Sequence, residues 1–175
     1  MNKVFTIEEI FNTFYDKIYS FTLMRVGNVH DSEDITSDVF MKVAEKIDTY
    51  NPDKAAFSTW IFVIALNEIR MFYRKRKPIY SIDCISEFVS SFDIEENLLK
   101  HEERIFLYKA IENLDEISKE VVLLRYFADL STKQIAEITA LSETNVDVKM
   151  HRAKEKIKKY LINCKKSGFA AYKGI

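Results

Sequence analysis

In the last third of the chain Asn145, Lys149, Arg152, Lys156 and Lys159 recur at three- and four-residue steps, so on a helix they share one stripe. Amide and cationic side chains in that register suit nucleic acid: the first turns reach base edges and the later lysines meet phosphates. A second stripe, Asn67, Arg70, Arg74 and Lys77, recurs in the same way in the first half, with Lys75, Arg76 and the aromatic rings of Phe72 and Tyr73 beside it. Lysine-rich helix faces are commonly just solvated, and cations near a helix C-terminus are favourable in themselves. The density of the second cluster exceeds what capping needs, and phosphate contact accounts for it better. The formal net charge is only -1, so any such activity rests on segregation of charge along the chain.

The elements that position these stripes are helical. Gly and Pro are few and Leu, Ile, Glu and Lys abundant, which disfavours the tight turns of a sheet. Ser131 with Gln134 forms a capping-box start, and Ile135, Ala136 and Ile138 give a short helix its apolar face. Leu141 closes a turn. Ser142 is placed to cap a longer helix whose apolar residues Val146, Met150, Ala153, Ile157 and Leu161 form a stripe neighbouring the basic one. The pair reads as a helix-turn-helix. Upstream, Thr6 and Glu9 form another capping box, followed by Ile7, Ile10, Phe11, Phe14, Ile18 and Phe21 on an apolar side until Gly27 supplies a left-handed stop. Asp31 is read as the cap of the next helix, with Ile35, Val39, Val43 and Ile47 inward and Glu33, Asp34, Asp38 and Lys42 outward. A loop follows around Asn51 and Pro52, then a helix capped by Ser58 and ended by Pro78. Helical periodicity resumes at Leu98–Leu114 and Ser118–Phe127.

Residues 78–97 contain no lysine or arginine but five acidic residues, Asp83, Glu87, Asp93, Glu95 and Glu96, and read as a linker. The expected class is therefore all-α: two small helical domains, residues 1–77 and 98–163, joined by an acidic linker and followed by a tail at 164–175. Two cysteines far apart in sequence, Cys84 and Cys164, do not make a disulfide framework, and with no signal-like or membrane-length apolar run a cytoplasmic location is expected. His30, His101 and His151 show no ligand spacing, so no metal is expected. No nucleophile–base pair or phosphate loop is evident, so neither catalysis, a cofactor nor a small-molecule substrate is expected.

Three segments in order, DSEDITSDVF at 31–40, FSTWIFVIALNEIR at 57–70, and LDEISKEVVLLRYFADLSTKQIAEI with VDVKMHRAKEKI in the C-terminal half, resemble sigma-70 initiation factors of the extracytoplasmic-function (ECF) group. The resemblance implies a non-enzymatic factor that gives core RNA polymerase its promoter specificity. It implies polymerase contacts at Asp34, Asp38 and Lys42 in the first domain and at Leu124, Arg125 and Tyr126 in the second. Tyr50, Asn51, Lys54 and Phe57 would capture an unstacked base of the minus-10 element while Asn67, Arg70 and Arg74 follow the backbone. Thr144, Asn145, Val148, Lys149 and Arg152 would read the minus-35 element, with Lys133 and Gln134 on phosphates. An inhibitory anti-sigma factor is a further implied partner, and the acidic linker would run towards the RNA exit path.

The chain departs from that pattern at three places. Ala140-Leu141 stands where the turn often has Gly, Asp147 where a basic residue is common, and Ile117 where proline is frequent. Asp147 is left out of the phosphate set, because an acid near phosphates costs affinity unless it accepts from a cytosine amine. Two other readings fit the residues alone. A stand-alone helix-turn-helix regulator would need a dimer and a two-fold operator. A protein-binding helical adaptor would tolerate charge reversal at Arg70, Arg74, Lys149 and Arg152.

Overall fold

The computed structural model describes residues 6–75 and 98–166, and among these there is no strand. Helix α1, Ile7–Val26, starts at the expected capping box: the Glu9 N–H donates to the Thr6 hydroxyl at 3.1 Å and the Thr6 N–H to the Glu9 carboxylate at 2.9 Å. It stops at Gly27, whose φ of 72° lets its N–H reach the Leu23 carbonyl. Helix α2, Val29–Lys46, begins earlier than its sequence suggests. Asn28, not Asp31, is the cap, and the Asp31 N–H donates to the Asn28 side chain at 2.9 Å. Asp31 instead sits in the first turn, where its charge suits the helix dipole.

After a 3₁₀ turn at Ile47–Thr49 comes α3, Phe57–Lys75. Ser58 lies inside this helix rather than at its cap, which frees its hydroxyl for a distant partner. Phe21 and Phe62 meet edge to face at 5.4 Å in the core of this three-helix unit, among Ile10, Ile18, Val39, Ile61 and Ile69. Ile7 and Phe11 remain exposed at the free end of α1, outside the buried side assigned to them by spacing.

The second half contains α4, Leu98–Glu112, α5, Glu116–Tyr126, α6, Thr132–Thr139, and α7, Glu143–Lys166. Asp115 caps α5 by accepting from the Ser118 N–H at 3.0 Å, so that helix starts before Ser118. Ser131 and Gln134 make the expected capping box of α6. Ser142 accepts from the Asn145 N–H at 3.2 Å at the start of α7. The turn between them is made without glycine: Ala140 takes the left-handed conformation at φ 56°, ψ 30°, and its N–H closes on the Ala136 carbonyl. Val121, Leu124, Leu130, Ile135 and Val146 form the interior. The expected linker, residues 78–97, and residues 167–175 of the expected 164–175 tail lie outside the described residues, as do Arg76 and Lys77; Cys164 to Lys166 continue α7 instead of starting the tail.

The two halves pack against each other, with a buried apolar cluster running through both. Polar contacts border it. Arg25 pairs with Glu116 at 2.6 Å and Arg70 with Glu120 at 3.2 Å, while the Gln134 amide donates to the Ser58 hydroxyl at 2.8 Å. Tyr108 of α4 stands directly over Gly27.

Candidate nucleic-acid interface

The recognition-helix geometry follows from the wheel of α7. Val146 and Ala153 are buried and Met150 and Ile157 half-buried, which fixes the inward face. At about 100° per residue the opposite face carries Thr144, Val148 and Arg152, all exposed, together with His151, while Asp147, also exposed, lies on one flank. Asn145 is exposed on the other flank. Lys149 lies further round that flank, half-buried, with its amine 3.8 Å from Asp115. Lys133 is exposed in the first turn of α6, whereas the Gln134 side chain serves both its own capping box and Ser58. His151 carries no periodic signal and only the helical wheel brings it to this face.

A second site gathers on the loop before α3. Tyr50, Phe57 and Trp60 form an aromatic cluster with ring centroids 5.1 to 5.4 Å apart, backed by Phe14 at 5.5 Å from Phe57. The Tyr50 hydroxyl donates to the Ala55 carbonyl at 3.1 Å, and burial pushes its ionisation above that of an ordinary phenol. Asn51 holds the loop by accepting from the Asp53 N–H at 2.9 Å, and Asn51 and Lys54 are exposed. Phe57 is only 8 % exposed. It therefore forms the floor of the cluster rather than a free stacking surface, and Trp60, which spacing assigns only to the apolar side of α3, is half-exposed beside it. Asn67, Arg70 and Arg74 line the outer face of α3 as their spacing predicts.

The acidic face of α2 is open: Asp34 and Asp38 are exposed and share a shallow groove of about 180 Å³ with Asp31, Glu68 and Lys75. Lys42 does not face outward. It crosses to α3 and pairs with the buried carboxylate of Glu68 at 2.5 Å, since an unpaired charge there would be costly to bury. In the second half Leu124 is wholly buried. Side chains at that position pack the interior and cannot touch a partner. Arg125 is exposed but donates to the Leu130 carbonyl at 2.8 Å. Tyr126, 58 % exposed, borders an apolar groove of about 560 Å³ lined also by Leu107, Ile111, Phe127, Leu161 and Ile162. The ammonium of Lys154 stands 5.7 Å from the centre of the Tyr126 ring.

Two family models match the chain in the order of these two units: sigma-70 region 2 over residues 10–79 and sigma-70 region 4 over residues 107–157. The chain belongs to the sigma-70 family. The ECF RNA polymerase sigma factor SigW of Bacillus subtilis strain 168 is 29% identical over 164 residues, covering 87% of this chain and 87% of that protein. SigM of the same organism, also an ECF sigma factor, is 27% identical over 156 residues, 87% of this chain and 93% of its own. The fold is shared with RpoE of Bartonella quintana, solved with the anti-sigma factor NepR, at a TM-score of 0.68 and 18% identity over 88% of this chain and 95% of that one. This is thus an ECF sigma factor that binds core RNA polymerase and directs it to promoters, and the stand-alone regulator is not favoured.

Proposed function

We propose that the division of labour within this sigma factor follows its two helical units, residues 1–77 engaging polymerase and the minus-10 element and residues 98–163 the minus-35 element. Asp34 and Asp38 make the main polymerase contact of the first unit, with Lys42 holding α2 to α3 through Glu68. In the second unit Arg125 and Tyr126 meet polymerase, and the groove beside Tyr126 receives an apolar helix; Leu124 contributes only by supporting them. Tyr50, Asn51, Lys54 and the aromatic floor of Phe57 hold an unstacked base, and Asn67, Arg70 and Arg74 track the backbone. Thr144, Asn145, Val148 and Arg152 read base edges, while Lys149, Lys133 and Gln134 lie towards phosphates.

The observation that carries this reading is the clustering of Tyr50, Phe57 and Trp60 beside the exposed stripe of Asn67, Arg70 and Arg74, because stacking rings next to cations are what an unpaired base and its backbone require. The packed arrangement supports weak binding of free duplex promoter: Arg70 and Gln134 are each engaged by the opposite half, and avidity needs polymerase to set the separation of the units. A tight, specific complex with duplex promoter in the absence of polymerase would contradict it. An anti-sigma factor covering the polymerase-binding faces, and a cytoplasmic site of action, belong to the same reading. No helix of the described residues is long and apolar enough to cross a membrane. Alanine at Trp60 or Tyr50 should reduce promoter opening by holoenzyme, followed by permanganate footprinting, while leaving polymerase binding intact.

A further inference from the structure

We propose that Asp147 is a specificity-determining residue of this sigma factor, accepting a hydrogen bond from the exocyclic amine of a cytosine in the minus-35 element. The inference rests on α7 being the minus-35 reader and adds to it the base that one position selects.

Asp147 is the fifth residue of α7, within the part of a recognition helix that reaches base edges. Its side chain is exposed on the flank nearest the start of α6, where the Thr132 hydroxyl donates to Asp147 Oδ1 at 3.3 Å. Lys133 is exposed in the same first turn of α6 as Thr132. The Thr132 contact is long and solvent-exposed, too weak to be the residue's main purpose. It engages Oδ1 alone of the two carboxylate oxygens.

The neighbours make an acid here costly unless it is used. Arg152 and Lys133 are exposed on the same two helices, and the phosphates they would meet repel a carboxylate. An ionised carboxylate has only acceptors to offer. In the major groove the donors are the amines of cytosine N4 and adenine N6, and carboxylates pair characteristically with cytosine N4. Guanine presents N7 and O6 and thymine O4, all acceptors, so a carboxylate set against either faces an unpaired, repelled contact. Selection therefore comes as much from rejecting guanine and thymine as from favouring cytosine.

The test is in vitro transcription by core polymerase with the full chain, on promoters randomised across the minus-35 element, comparing wild type with Asp147→Ala and the near-isosteric Asp147→Asn. Wild type should enrich cytosine at one position on the order of tenfold over guanine. Asp147→Ala should flatten that position alone, and Asp147→Asn should move its preference to adenine, the usual partner of an amide. The assignment is overturned if all three proteins select the same bases while the variants simply transcribe more from every template, as removal of a phosphate-repelling charge would give. It is equally overturned if Asp147→Asn, with its helix content and melting unchanged, loses selectivity at every position together. A wild type that enriches no base anywhere in the element would overturn the minus-35 reading of α7 as well, whereas selection elsewhere in the element but not by Asp147 would overturn this assignment only.

Discussion

Replacing Ala140 by glycine should stabilise the protein. Ala140 sits at φ 56°, ψ 30°, where a side-chain Cβ crowds the backbone at a cost of about 1–2 kcal/mol that glycine escapes. Against this stands the greater freedom of glycine in the unfolded chain, which costs about 0.5–1 kcal/mol. Ala140 is exposed, so removing its methyl opens no cavity, and the closing hydrogen bonds from Ala140 and Leu141 to the Ala136 carbonyl are made by the backbone. The difference is a net gain of roughly 0.5–1 kcal/mol. For a chain of this size that corresponds to a rise in Tm of about 1–4 °C. With a urea m-value of about 2 kcal/mol/M it moves the midpoint up by about 0.3–0.5 M at unchanged slope. Urea unfolding followed by circular dichroism reads both. A loss of stability in Ala140→Gly would refute the idea that this turn holds strain, and so would an unchanged midpoint. Ala140→Val, adding a branched side chain at the same φ, should lower the midpoint instead.

Gly27→Ala should cost about 2–4 kcal/mol, combining a positive φ with a Cβ that would stand 2.6 Å from the Tyr108 hydroxyl; a denaturation midpoint within error of wild type would disprove it. Glu120→Ala should release Arg70 and tighten binding of a single-stranded minus-10 oligonucleotide about two- to fivefold, the value of a partly exposed pair. The same change in an Arg70→Ala background should do much less, and equal effects in both backgrounds would mean that only bulk charge had changed. Hydrogen bonds from Ser118 hold the Asp115 carboxyl below its ordinary value. At Glu116 burial acts upward but is outweighed by Arg25 and Lys119. Both groups bind protons more readily in the unfolded chain, so the stability they confer is complete above about pH 5 and lost as pH falls below about 4. Asp115→Asn should flatten that part of the acid limb in pH-dependent urea unfolding; an unaltered limb would count against the assignment.

What the sequence made legible was local. The capping boxes at Thr6 and Ser131, the Gly27 stop and the inward faces of α2 and α7 depend on residues a few positions apart, and all appear in the structure. Asn28 was hidden as a cap because Asp31, three residues on, is an equally good capping residue by type. The left-handed turn at Ala140 could not be inferred from a residue that rarely adopts it. Longer-range partners were invisible: Gln134 reaches Ser58 across 76 residues and Arg70 reaches Glu120 across 50, and no periodicity encodes such pairs. For the same reason spacing places Lys42 towards solvent, whereas its partner Glu68 lies on another helix. Leu124 shows the converse error, where a resemblance supplied a contact role to a position that packing buries completely.

Whether two small units serve one polymerase is decided by run-off transcription with purified core RNA polymerase, this sigma factor and a genomic promoter library. Discrete start sites should appear that need the factor and vanish when Asp34 and Asp38 are changed to lysine, with the helical fold of the variant intact. Start sites that survive those reversals would contradict the placing of polymerase on α2. Specific retention of duplex promoter by the free protein, with no factor-dependent initiation, would contradict a polymerase-dependent role for both units.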